Sequence, residues 1–188
     1  MKFGSYDWRW PQWNGIYYPD DLPEDWRLSY YANEFDTVLL PEDVWQGRRE
    51  ALNDCLAELP SDFTVWLELM NPTISDIPFA LSSVAGVLYR GTERVAVNVH
   101  ENRAVVASSA EPEGMPRCWS PQREIGSDLA PVALVPAEAI ASPRQLRTWV
   151  EGLAKLAGDR ESYLIFEGTP PSLEWMDQAK TIARLLGV

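Results

Sequence analysis

Short apolar runs alternate with amphipathic stretches along most of this chain. Lys2–Tyr6 reads as a first strand. Asp7 to Pro23 then carries Trp8, Trp10, Trp13, Tyr17 and Tyr18, broken by Pro11, Gly15 and Pro19. That segment is too interrupted for a helix and too aromatic for a plain linker, so it predicts a loop packed down by its own rings. Glu24–Glu34 has acidic residues in its first turn and Trp26, Tyr30 and Tyr31 at helical spacing, which predicts a helix. Asp36–Leu40 is a short strand. A helix then opens at Pro41 and Glu42, with Val44, Trp45, Leu52, Cys55, Leu56 and Leu59 on one face and Pro60 as its stop. Phe63–Met70 is apolar almost throughout, as a strand buried on both faces would be.

The middle of the chain has a different rhythm. Val84–Tyr89, Arg94–His100 and Ala104–Ser108 are strand-like, with only Gly91-Thr92 and Glu101-Asn102 as turn signals between them. These separations are too short for crossover helices and predict antiparallel hairpins. Glu111 to Asp128 is rich in Pro, Gly and Ser and reads as a long loop. Pro131–Val135 is one more strand. Ser142-Pro143-Arg144-Gln145 has the form of a capping box with proline at the first helical position. The helix it opens buries Leu146, Trp149, Val150, Leu153 and Leu156 and stops at Gly158. Tyr163–Phe166 is the last strand, and a final helix follows Pro170-Pro171. Flanking βα units around a hairpin-rich middle predict a compact or incomplete (β/α) barrel, since a full one commonly takes about 250 residues.

Composition narrows the class. The 188 residues suit a single α/β domain, 1–188, with 46% apolar and 23% charged residues. Sixteen basic against 28 acidic residues give a formal net charge of −12. A phosphate-backbone binder releases counterions from a basic surface, so nucleic acid is not an expected partner. With no signal peptide and no spanning apolar run, the expectation is a cytoplasmic protein away from membranes. Cys55 and Cys118 lack a Cys-x-x-Cys context, and a single histidine argues against a histidine-based metal site. No P-loop, Rossmann or G-x-S-x-G motif is present, which leaves any cofactor unassigned.

Phe3-Gly4-Ser5, Trp8 and Trp13-Asn14-Gly15-Ile16-Tyr17-Tyr18-Pro19 form a set of rare residues at fixed spacing. Leu22-Pro23, Tyr31-Ala32 and Phe35-Asp36-Thr37-Val38 continue it, and Leu59-Pro60-Ser61-Asp62-Phe63 precedes the third strand. This set resembles the N-terminal signature of the YecE-like family, also called domain of unknown function 72. That signature runs approximately G-T-S-G-W, then W-x-G-x-F-Y-P, with a later P-x-D-F. The resemblance covers residues 1–70 well and 143–188 fairly, through Tyr163–Phe166, Ala179 and Leu185-Leu186. It implies a diverged, shortened TIM-barrel-like domain and names no activity.

The departures from the family pattern fall on polar positions. A family Glu and Asn on the second strand correspond to Leu39 and Pro41 here. The family lysine ending the third strand is Glu68, the E-F-R-H stretch is Asn98-Val99-His100-Glu101, and the closing F-N-N is Phe166-Glu167-Gly168. The family R-x-H-G has no counterpart near Val132–Pro136. A carboxylate in place of a lysine at a strand end reverses the local field and disfavours an anionic ligand.

Two readings follow. In the first, a small polar ligand binds at the strand C-terminal face, with Glu68 and Glu167 as candidate catalytic carboxylates. Asp7, Trp8, Trp13, Asn98 and His100 are then candidate ligand contacts. The plainer alternatives are rim carboxylates paired with Arg90 or Arg94, a hydrogen-bonded surface histidine, and aromatic rings that only anchor their loop. In the second, the domain has lost the ancestral site and serves as an interaction or regulatory module. Hairpin edges around Val84–Ser108 would then pair with another chain, a second copy included, giving a homodimer.

Overall fold

The computed structural model describes residues 1–70, 82–92, 104–108, 115–126 and 128–188. Eight strands form a closed barrel in chain order: β1 (Lys2–Tyr6), β2 (Thr37–Leu40), β3 (Thr64–Leu69), β4 (Val84–Tyr89), β5 (Ala104–Ala107), β6 (Arg117–Trp119), β7 (Leu129–Val135) and β8 (Tyr163–Phe166). Every neighbouring pair is parallel, and β8 closes on β1 from Lys2↔Tyr163 to Ser5↔Phe166. Five α-helices lie among the described residues: α1 (Arg27–Tyr31), α2 (Glu42–Trp45), α3 (Arg49–Ala57), α4 (Pro143–Ala157) and α5 (Leu173–Leu186).

The antiparallel middle is therefore corrected. β4 pairs directly with β5 in parallel, from Gly86↔Ala104 to Tyr89↔Ala107. Turn residues and short apolar runs marked the segment as hairpins, but strand direction is set by tertiary pairing, which turn chemistry alone does not fix. Residues 90–103 are long enough for a parallel return. The run Arg94–His100 lies outside the described residues. The long loop expected over Glu111–Asp128 contains β6, only three residues long. The barrel is complete rather than incomplete, and it closes within 188 residues because β5 and β6 are short and β6 reaches β7 without a described helix.

Strand alternation sorts the core into two layers. Val38, Leu40, Val65, Leu67, Leu69, Val87, Leu164 and Phe166 pack outward under the helices. Leu39, Trp66, Leu88, Val106, Cys118, Val132, Tyr163 and Ile165 fill the barrel interior. The ring edge of Trp66 meets Tyr163 at 5.2 Å between centroids. Gly4 is needed where β1 meets β2, since a Cβ there would lie 1.8 Å from the Thr37 carbonyl oxygen.

Two helices differ from their sequence reading. Glu24–Trp26 is a 3-10 turn that leads into α1. The helix after Pro41 breaks into α2 and α3 at Gln46-Gly47, where Gly47 takes φ +66°. The cap of α4 holds, with Ser142 Oγ accepting from the Gln145 N–H at 3.4 Å. Gln145 Oε1 reaches back to the Ala141 N–H at 2.9 Å.

Candidate functional site

The inward-facing row of three strands ends in a charged residue. Trp66 is followed two positions on by Glu68, Leu88 by Arg90 and Ile165 by Glu167. With period-two alternation, each charge stands above the apolar interior at the strand C-terminal end. Arg90 joins the two carboxylates. Its Nη2 donates to Glu167 Oε1 at 2.6 Å. Its Nε lies 2.6 Å from Glu68 Oε1, yet the N–H is not aimed at that oxygen, so this contact is an ion pair without a hydrogen bond.

Tyr6, at the end of β1, completes the group. Its hydroxyl donates to Glu68 Oε2 at 3.0 Å, and the Arg90 guanidinium stacks over its ring at 5.3 Å. Burial first, then the Glu68 charge, pushes the Tyr6 phenol well above its ordinary value, so it remains a proton donor to that carboxylate. The Trp45 indole N–H donates to the Glu68 carbonyl at 3.0 Å, and the Trp10 indole N–H to the Tyr6 carbonyl at 3.0 Å. Both strand ends are thus pinned from outside the barrel.

Glu68 keeps 8% of its side chain exposed, against 22% for Arg90 and 25% for Glu167. The group is solvated from one side. Three charged side chains leave a formal charge of −1. Glu167 also borders a cleft of about 100 Å³ with Val135, Phe166, Ser172 and Trp175, between the ends of β7 and β8 and the start of α5. Below, Cys118 is fully buried, and burial pushes its thiol up to about 12, which removes it as a nucleophile at neutral pH.

The other candidate residues are placed apart from this group. Asp7 has φ +59° just after β1. Its carboxylate accepts from the N–H groups of Trp8 and Arg9 at 2.7 and 2.9 Å and is bound by the Arg9 guanidinium. That side chain holds the strand-to-loop turn. Trp8 is buried, and its carbonyl accepts from the Tyr18 hydroxyl at 2.7 Å. Trp13 is buried and stacked on Tyr31 with 8° between planes, with Tyr17 and Tyr18 against it. Asn98 and His100 lie outside the described residues. Among the described residues no three His, Cys, Asp or Glu side chains gather as metal ligands.

The sequence reading named Arg90 only as a neutralising partner and did not single out Tyr6. The signal was available: both end the inward row of their strand, as Glu68 and Glu167 do. It needed the inward face of each strand to be assigned first, and the hairpin reading of the middle gave β4 the wrong neighbours.

No protein-family model matches the sequence, and no curated protein does. Solved structures do. A DUF72 family protein of Thermotoga maritima superposes with a TM-score of 0.65 at 14% identity, over 100% of this chain and 99% of that one. The chain has the fold of the DUF72 family. A second DUF72 family protein, from Enterococcus faecalis, gives 0.63 at 8% identity, over 97% of this chain and 95% of the other. The DUF72 fold agrees with the resemblance carried by the aromatic N-terminal loop. It assigns no activity, because a barrel of this kind hosts many. Among the described residues no helix is long and apolar enough to cross a membrane.

Proposed function

We propose that this chain is a single-domain, cytoplasmic YecE-like barrel that binds a small polar ligand at the strand C-terminal mouth. The observation that carries the reading is the convergence of Tyr6, Glu68, Arg90 and Glu167, from four strand ends, on one ion-paired and partly solvated group. Two carboxylates, a guanidinium and a phenol at the end of an otherwise apolar interior are what orients a ligand rich in hydroxyl or amino groups. Their formal charge of −1, within a chain of −12, disfavours an anion. Any chemistry there rests on Glu68 and Glu167. Asp7 and Trp8, in the turn that follows Tyr6, flank the mouth without joining the charged group, and Trp13 anchors the loop that carries them. Free thiols at Cys55 and Cys118 suit a reducing compartment.

The interaction-module reading is weakened in one respect. Its edge-pairing route needs an open strand edge, and the closed barrel leaves none among the described strands.

A thermal-shift screen tests the binding reading. Neutral sugars, polyols and alkylamines are compared with phosphate and citrate, on the wild type and on Glu167→Gln. The expected result is stabilisation by at least one neutral or cationic class, none by the anions, and loss of the shift in the variant. A full panel without any shift, or a hit that Glu167→Gln keeps unchanged, removes the mouth as the ligand site.

A further inference from the structure

A second surface stands apart from the mouth. The helix read from Glu24–Glu34 carries Trp26, Tyr30 and Tyr31 at helical spacing, and the structure separates them. Tyr31 is fully buried and its hydroxyl ties β1 to β2, accepting from the Ser5 N–H at 2.7 Å and donating to the Thr37 carbonyl at 3.1 Å. Trp26 is 64% exposed. It lies in a groove with Leu22, Asp25, Tyr30 and Asn33 along the α1 segment and Glu58 at the end of α3. Among the described residues the groove lining contains no Lys or Arg. Among the described residues neither Asp25 nor Glu58 has an ion-pair partner. The one nearby cation in sequence, Arg27, turns instead onto the Tyr18 ring at 5.4 Å.

We propose that this groove docks an extended, lysine- or arginine-bearing segment of a partner protein. An exposed indole in one groove with two carboxylates that have no ion-pair partner among the described residues fits a cationic side chain on an alkyl stem. The stem lies on the ring, the ring face attracts the charge, and the carboxylates take its N–H groups. The lining residues follow one side of the α1 segment, so the groove accepts chain lengthwise. Charge selects the occupant class. A second copy of a chain with 28 acidic and 16 basic residues is repelled on average, and nucleic acid is repelled more strongly. The proposal is independent of the mouth and survives if the mouth binds nothing.

Fluorescence anisotropy with a labelled octapeptide of alternating lysine and glycine tests it, beside the same peptide with glutamate in place of lysine. Trp26 packs little against the fold, so Trp26→Ala leaves the barrel intact. The expected results are binding of the lysine peptide only, an approximately ten-fold or greater loss in Trp26→Ala, and a smaller, salt-sensitive loss in Asp25→Asn/Glu58→Gln. Ile16→Ala, which removes an exposed residue outside the groove lining, leaves affinity unchanged. The proposal is overturned if the lysine peptide does not bind, or if Trp26→Ala binds it as well as the wild type. A concentration-dependent dimer in sedimentation that Trp26→Ala abolishes overturns it in favour of a second copy.

Discussion

Glu68 depends on Arg90 more than Glu167 does. Its carboxylate is almost fully buried, with the Arg90 guanidinium on one oxygen and the Tyr6 hydroxyl on the other. Removing the guanidinium leaves a buried charge with one neutral donor, which costs about 3 kcal/mol. Glu167 is three times as exposed, and water replaces much of what it loses, so its pair contributes about 1 kcal/mol or less. Arg90→Gln should therefore lower stability far more than Glu167→Gln. Adding Glu68→Gln to Arg90→Gln should recover part of the loss, because the stranded charge is gone. Denaturant melts of the four proteins check this. Equal losses in the two single variants, or a further loss in the double, would show that Arg90 does not hold Glu68 in this way.

At the scale of elements, the aromatic loop and α1 form one unit. Trp13, Tyr17, Tyr18, Tyr30, Tyr31 and Phe35 pack ring against ring between β1, β2 and the solvent. Burial, the largest cause in each case, raises the phenols of Tyr6, Tyr17, Tyr18 and Tyr31 far above the ordinary 10.0. A phenol whose folded value is raised binds its proton more tightly in the fold. Each such group adds stability below pH about 10, and the contribution is lost as pH rises past that point. Absorbance at 295 nm during an alkaline titration, read beside far-UV circular dichroism, checks it. Tyr6, Tyr17, Tyr18 and Tyr31 should ionise only as the fold is lost. Titration of all seven tyrosines near pH 10 with intact dichroism would place this cluster at the surface. The same unit shows what sequence can and cannot reveal. The density of rings and prolines marked a self-packed loop correctly. Trp26 and Tyr31 are five positions apart, about 140° around a helix, so they cannot share its buried face; Trp26 closes the 3-10 turn that precedes α1 and Tyr31 ends α1 against the barrel.

On the scale of the molecule, β1, β4, β8 and α4 were legible because each carries a local signal. Lys2–Tyr6, Val84–Tyr89 and Tyr163–Phe166 stand where their apolar runs place them, and Ser142 caps α4. The parallel middle was not legible. β5 and β6 are four and three residues long, and such short runs carry too little periodicity to reveal a direction. The mouth inherits that limit. Glu68 and Glu167 could be named from strand ends, whereas their joint hold on Arg90 exists only once β4 is set parallel to β3 and the barrel closes through β8.

The nine indoles offer the most direct test of the mouth as a ligand site. Trp10 and Trp45 donate their N–H groups to the carbonyls of Tyr6 and Glu68, while Trp26 lies in the separate groove. A proton–nitrogen correlation spectrum of the indoles, assigned by single Trp→Phe variants, reports both surfaces at once. Titrated with the polyol or alkylamine that most raises Tm, the wild type should shift the Trp10 and Trp45 signals and leave Trp26 in place, and Glu167→Gln should show neither shift. Movement of Trp26 alone, or of no indole at all, would contradict a ligand site built on Tyr6, Glu68, Arg90 and Glu167.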